Sequence, residues 1–270
     1  MSTVQSPRLR PTAGVVRASL RMNAGRYGWS LALFVLTGAE WLTVPFWSDP
    51  VAGRYDWDAI GRLDAHIENS GALLLILPTV IAAAGAIGQR RSLASRIRAV
   101  LWTQSVSPVR WFLTRFGVQA AGVVVLGLGT MTVLGCASAH WAVDHGLLAD
   151  TGDHATLLLL IGPATVALAL SGLAVGALAG VLLRHTWITA AAGAASAAIL
   201  TWVNFLATDT RGPLRLTRDG SHTLITGVSA SSYWLQQLLH TTVLLGLTVL
   251  ALHAAVRVLR RRALKSRYGM

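Results

Sequence analysis

Charged residues are scarce in this sequence, and carboxylates are scarcer than bases. Only 13% of the 270 residues are charged, whereas 53% are hydrophobic. This is about half the charged share of an ordinary soluble domain. The deficit excludes an ordinary soluble globular protein and indicates an integral membrane protein.

Cysteine and lysine each occur once. Cys136 has no second cysteine to pair with, so an intramolecular disulfide is excluded. Lys265 is not preceded by glycine, so there is no GxxxxGK[ST] phosphate loop, and the HExxH and GxSxG motifs are absent too. We therefore expect no catalytic residue, no cofactor and no ATP hydrolysis by this chain itself. The 22 arginines against a single lysine are typical of a GC-rich bacterial genome.

Metal-binding patterns are also missing. The segment between the third and fourth long apolar runs holds a loose set of possible ligands, but it lacks the tight spacing of metal ligands. The set comprises His140, Asp144, His145 and the acids that follow. The acidic segment 48–70 lacks the glycine and distal glutamate of an EF-hand loop. His240 and His253 stand about 220° apart around a helix, so they do not share a face. The sequence predicts no metal site.

Long apolar runs are abundant instead. A helix needs about 20 residues to cross a hydrocarbon core of about 30 Å. Six runs approach or exceed this length, at 29–47, 71–88, 117–139, 155–183, 186–206 and 234–256. The fold class predicted is an all-α integral membrane protein with six transmembrane helices. The fourth run is overlong, so it must tilt, bend or begin outside the core.

The basic residues are distributed asymmetrically between these runs. Of the 23 arginines and lysines, 18 lie in 1–28, 89–116, 184–185 and 257–270, which contain no acid. Loops rich in arginine face the cytoplasm, so we expect both termini to be cytoplasmic. The same bias argues against nucleic-acid binding and favours contact with anionic membrane lipid.

Three regions follow from this pattern. Residues 1–28 form a basic cytoplasmic segment with an amphipathic helix over 14–27 that is expected to lie in the membrane interface. Residues 29–256 form the six-span domain, and residues 257–270 form a basic cytoplasmic tail. The predicted location is the bacterial cytoplasmic membrane, as a multi-pass protein.

The loop 89–116 holds six arginines and no acid. Its first half predicts a second interfacial amphipathic helix, with Arg91, Arg98 and Trp102 opposite an apolar stripe. Ser107-Pro108 is a typical helix start, with serine as N-cap and proline in the first helical position, so a new helix is expected to enter the membrane there. The alternative is a solvated basic loop.

Two further features concern packing. Gly172, Gly176 and Gly180 form a smooth seam on span four, where another helix backbone can approach closely. Only residues 184 and 185 separate spans four and five, which predicts an antiparallel pair. The segment 207–232 is consistent either with a β-hairpin around Asp219-Gly220 or with a partly re-entrant cap.

The loop also carries a family resemblance. Residues 101–107 read LWTQSVS and are followed by Val109-Arg110-Trp111. This segment resembles the first cytoplasmic loop of the type-2 permease family of ABC exporters, and within it an actinobacterial group with a WTQ-type loop. Residues 92–98, which read SLASRIR, depart from that group's acidic residue and Gly-Thr, and Pro108 stands where arginine is common.

The resemblance implies a permease subunit that dimerises with a second copy or a homologue and binds separate ATP-binding subunits. Substrates in this family range over drugs, antibiotics, peptides and lipids. By analogy, the loop would couple ATP hydrolysis to the spans through Arg96, Arg98, Trp102, Thr103, Gln104, Ser105, Val106 and Arg110. The alternative is a membrane-anchored accessory or immunity protein that has the permease fold but no transport cycle.

Overall fold

In the computed structural model, seven elements are described. The structure describes residues 79–91, 107–144, 162–183, 185–207, 215–219, 222–226 and 230–268. Residues 79–91 are helical and are called α1. The others are α2 (Pro108–Asp144), α3 (Pro163–Leu182), α4 (Thr186–Ala207), β1 (Arg215–Asp219), β2 (His222–Thr226) and α5 (Ala230–Tyr268).

Four of the described helices are long and apolar enough to cross a membrane. Their membrane-spanning windows are Pro108–Gly129, Pro163–Leu182, Thr186–Val203 and Trp234–Arg262. They correspond to the third to sixth predicted runs, so a helical membrane protein is confirmed. The first run lies outside the described residues, and the second is described only from residue 79.

Two membrane spans begin at other residues than the sequence predicts. The window in α2 begins at Pro108 rather than 117, because the helix starts at the predicted cap and takes in Arg110 and Arg115. Helix α3 begins at Pro163, after an extended Gly162, rather than at 155. Its 20 residues span about 30 Å, the thickness of the hydrocarbon core, so the apolar run is longer than the helix it contains.

Helix α3 is the centre of the bundle. In its spanning window 72% of the residues are buried, against 22% in α2, 22% in α4 and 28% in α5. It packs against α2, α4 and α5. The sequence of α3 is mostly alanine, glycine, valine and leucine, and small side chains let several backbones approach one helix.

Helix α5 runs parallel to α3 and contacts both of its ends. At the start of α3, the side-chain Oε1 of Gln237 accepts a hydrogen bond from the backbone N–H of Ala164, at 3.3 Å. At the end of α3, Arg262 donates from Nη1 to the Val181 carbonyl at 2.6 Å and from Nη2 to the Leu182 carbonyl at 3.2 Å. The end of the bundle near Arg262 is called the arginine end, and the opposite end the hairpin end.

The outward faces of α4 and α5 are apolar. Trp187, Trp202, Leu239, Val249 and Leu250 are among the exposed large hydrophobic side chains. Exposure of such residues along whole helices is expected where the surrounding medium is lipid. Four hydroxyl side chains within these helices are satisfied locally: Thr189, Ser196, Thr242 and Thr248 each donate to the carbonyl four residues earlier.

A β-hairpin joins α4 to α5. Strands β1 and β2 are antiparallel, with Asp219 opposite His222 and Leu216 opposite Ile225. The hairpin alternative for 207–232 is thus confirmed for residues 215–219 and 222–226, and β1 lies against α2. Apart from this hairpin, the described elements are helical.

Candidate functional site

The candidate site lies at the arginine end, where the loop 89–116 joins the bundle. The structure describes its two edges, residues 89–91 at the end of α1 and 107–116 at the start of α2. The predicted coupling residues Arg96, Arg98 and Trp102 to Val106 lie outside the described residues. Arg110 is described and is exposed in the first turn of α2.

Helix α2 begins as the sequence predicts. The Oγ of Ser107 accepts a hydrogen bond from the backbone N–H of Arg110 at 3.2 Å. The Ser107 carbonyl accepts one from the N–H of Trp111 at 3.0 Å. Pro108 occupies the first helical position, where its missing N–H costs nothing. The loop therefore enters α2 through a defined N-cap.

Two aromatic side chains fix the start of α2 in the bundle. Phe112 is 1% exposed and Phe116 is 7% exposed. They belong to a core that also contains Leu173, Ala174, Ala177 and Val181 of α3 and Ala251, Ala255 and Leu259 of α5. Phe112 and Phe116 are called the aromatic anchor. The first two turns of α2 therefore cannot shift without disturbing two other helices.

Arg115 is the main departure from the loop prediction. The sequence predicted a basic segment here, with a new helix from Ser107-Pro108 onward, and Arg115 does lie in that helix. Its burial was not predicted, since it is only 3% exposed. Its guanidinium carbon lies 5.2 Å from the centroid of the Trp111 ring, within cation–π range. The position follows from helical periodicity, since residue 115 falls on the same face as the aromatic anchor.

Two buried glutamines accompany Arg115 near this end. Gln89 in α1 is 0% exposed, and Gln119 in α2 is 7% exposed. Neither was predicted from the sequence. The signal that would have found Gln119 is its spacing, because positions 112, 115, 116 and 119 repeat as i, i+3, i+4 and i+7. Buried polar side chains inside a membrane domain are often functional.

The glycine seam of α3 faces α1. A Cβ added at Gly176 would clash with the backbone of Ala82, and one at Gly180 would lie 2.7 Å from the Ala86 carbonyl oxygen. Gly193 of α4 approaches the same place, since its added Cβ would lie 3.3 Å from the Cα of Gly176. Gly172 is also buried in α3. The seam brings α1, α3 and α4 into backbone contact.

Charge at the arginine end has one sign. The arginines whose side chains are described there are Arg90, Arg91, Arg110, Arg115, Arg257, Arg260, Arg261 and Arg262. Within the described parts of the chain, the only carboxylates are Asp144, at the far end of α2, and Asp219, in the hairpin. The end of the bundle next to the loop is therefore strongly electropositive.

The described residues offer no metal site. No group of three or more His, Cys, Asp or Glu side chains comes together among them. His240 is partly buried and His253 is exposed, and the two lie on different faces of α5. In the described regions, the arginine end therefore combines close helix packing with a high positive charge, at the place where the loop connects to the helical bundle.

Comparison with known proteins gives a family assignment. Residues 51–208 match the family model described as "ABC-2 membrane transporter related". No curated protein and no solved structure matches the chain. The match covers more than half of the sequence and includes both the 89–116 loop and the glycine seam. This chain therefore belongs to the ABC-2 membrane transporter related family.

Proposed function

We propose that the chain is the permease subunit of an ABC exporter, which forms the translocation path and couples to a separate ATP-binding subunit through the loop 89–116. The observation that carries this proposal is the aromatic anchor, because Phe112 and Phe116 tie the exit of the loop to α3 and α5. The family assignment and the sequence resemblance of the loop support the same function.

The proposed topology has six spans, with both termini and the arginine end in the cytoplasm. The one-signed charge of the arginine end supports this orientation through the positive-inside rule. Helix α1 ends and α2 begins at this end, so the loop between them emerges on the same side. ATP-binding subunits are soluble, and their binding site must lie on the cytoplasmic face.

The coupling proposal is mechanical. A force on residues 92–106 would reach α2 through its first turn. The Ser107 cap and the buried Phe112 restrict the movement of that turn relative to the bundle. Close-packed interfaces move between discrete arrangements rather than deforming continuously. ATP-driven displacement of the loop would thus shift α2 against α3 and α5 as a unit. We further propose that the complex contains a second permease, either another copy of this chain or a homologue.

The test is affinity purification of the tagged chain from its native membrane, with mass spectrometry and an ATPase assay. We expect a stoichiometric ATP-binding subunit in the eluate. Replacing Trp102 to Val106 by Gly/Ser should remove it. The matched control replaces the same number of residues in strand β1, 215–219, at the other end of the bundle, and should retain it.

A chain that purifies without an ATPase, from cells that express one, would contradict the permease proposal. It would favour the accessory or immunity protein instead. Equal loss of the ATPase in the loop and hairpin variants would contradict the assignment of the coupling loop.

A further inference from the structure

Helix α5 presents two kinds of side chain on one outward face. Val249 and Leu250 are exposed and apolar, and Arg257, Arg260 and Arg261 are exposed two to three turns later. At 100° per residue, positions 250, 257 and 261 fall within about 20° of a line along the helix, as do 249 and 260. The apolar face of α5 therefore leads, past the exposed His253, to an arginine triad, defined as Arg257, Arg260 and Arg261.

The end of α3 indicates how deep in the membrane the arginine triad lies. The 20-residue α3 is about as long as the hydrocarbon core is thick, and its last carbonyls accept hydrogen bonds from Arg262. An extended arginine side chain in a helix reaches back toward the N-terminus by about one turn. Residues 257–261 of α5 therefore lie beside the last residues of α3. Because α3 is as long as the hydrocarbon core is thick, this is where the lipid headgroups begin.

The triad has the geometry of an anion site. Residues at i, i+3 and i+4 are neighbours on a helix surface, and like charges placed there repel one another. Among the described residues, none of the three arginines has a hydrogen-bond or ion-pair partner, and no carboxylate lies at the arginine end. Arg262, in contrast, is held by the carbonyls of α3. The three charges are therefore open to an anion from outside this part of the chain.

We propose that the arginine triad binds the phosphate of an anionic phospholipid whose acyl chains lie along Val249 and Leu250. One guanidinium group can donate two parallel hydrogen bonds to the oxygens of a phosphate. The exposed apolar residues on the membrane side of the triad suit the lipid tail. A soluble phosphate would use the arginines but not the apolar face. The inference rests on the membrane-spanning bundle alone and does not require a transport cycle.

The experiment is native mass spectrometry of the intact chain in detergent, titrated with phosphatidylglycerol or phosphatidylcholine of the same acyl composition. An arginine near an anionic membrane surface is worth about five-fold in affinity. We expect a clear preference for phosphatidylglycerol, which falls about five-fold in Arg260→Gln. In the triple variant Arg257→Gln, Arg260→Gln, Arg261→Gln it should disappear. The triple lysine variant should keep only part of the preference, since the positive charge remains but the paired guanidinium donors are lost.

The matched control is Arg215→Gln with Arg218→Gln in β1, which removes positive charge from the hairpin end and should leave the preference unchanged. Elution volume and melting temperature show that each variant is folded. Three outcomes would overturn the proposal: no phosphatidylglycerol preference in the native chain, equal loss in the control, or full displacement of the lipid by equimolar glycerol phosphate. The single variant Arg260→Gln keeps the test decisive if the triple variant does not fold.

Discussion

Arg262 and Val181 are 81 positions apart in sequence, yet the guanidinium of the first donates a 2.6 Å hydrogen bond to the carbonyl of the second. The last carbonyls of a helix have no partner within that helix, and a cation near them also interacts favourably with the helix dipole. Arg262 thus caps α3 from another helix. With Gln237 at the opposite end, α5 holds α3 at both of its termini.

The first prediction concerns this cap. Arg262→Gln should lower the free energy of unfolding by about 1–2 kcal/mol, since charged hydrogen bonds to two carbonyls are lost. The measurement is thermal or denaturant unfolding in detergent. The matched control is Arg261→Gln, which removes an exposed neighbouring arginine without a hydrogen-bond partner in the described chain and should have little effect. Equal destabilisation by both substitutions would contradict the capping role.

The second prediction concerns the start of α3. Gln237→Leu should cost about 1 kcal/mol, because the N–H of Ala164 loses its acceptor in a buried place. Gln236→Leu is the paired control, since the adjacent glutamine is less buried and makes no such bond among the described residues. The two variants have the same composition, so unfolding in one detergent compares them directly. A larger loss in Gln236→Leu than in Gln237→Leu would be evidence against the contact.

The third prediction concerns the glycine seam. Gly176→Ala should destabilise the protein strongly, because the new methyl group would meet the backbone of Ala82 and force α1 away from α3. Gly246→Ala in α5 is the control: an added Cβ there meets nothing within 4 Å. Alanine is the better helix former, so Gly246→Ala should be neutral or stabilising by up to about 1 kcal/mol. Melting temperatures that fall by the same amount would show that the seam is not closely packed.

The fourth prediction concerns the aromatic anchor. Phe112→Ala should cost about 3 kcal/mol or more, since it opens a cavity between α2, α3 and α5. Leu113→Ala, at a side chain that is 43% exposed, should cost far less. If the loop works as proposed, Phe112→Ala should also reduce substrate-stimulated ATPase activity of the complex while the ATP-binding subunit still co-purifies.

Control of that last readout is needed because an unfolded permease would also lose ATPase stimulation. Elution as a single species and retention of the ATP-binding subunit separate the two cases. Full stimulation in Phe112→Ala, in a protein shown to be destabilised, would mean that the anchor stabilises the bundle without transmitting the movement.

Local features of the bundle could be predicted from the sequence. Ser107-Pro108 starts α2 because capping depends on residues within one turn. The hairpin was one of two alternatives that the sequence left open, and the pairing of β1 with β2 decides between them. The third to sixth spans follow from apolar length alone. The burial of Arg115 was not predicted, because its charge placed it in the loop while its helical position places it beside the aromatic anchor.

The sequence did not predict which helices pack against each other, and the reason is physical. In a membrane, a side chain that faces lipid and one that faces another helix are both apolar, so hydropathy barely distinguishes Val249 from Leu173, although the first is exposed and the second buried. The glycine spacing of α3 indicates a close approach, but nothing in it specifies Ala82 and Ala86 as the neighbours.

Apolar length and charge distribution act residue by residue, so the sequence was enough to predict a helical membrane protein whose basic residues are concentrated between alternate apolar runs. The packing of the helices showed in addition that α3 is the centre of the described bundle and that α5 caps both of its ends. Arg262 is exposed like Arg257, Arg260 and Arg261, but its guanidinium reaches the last carbonyls of α3. These outcomes depend on contacts between residues tens of positions apart, which are decided by how the helices fit together.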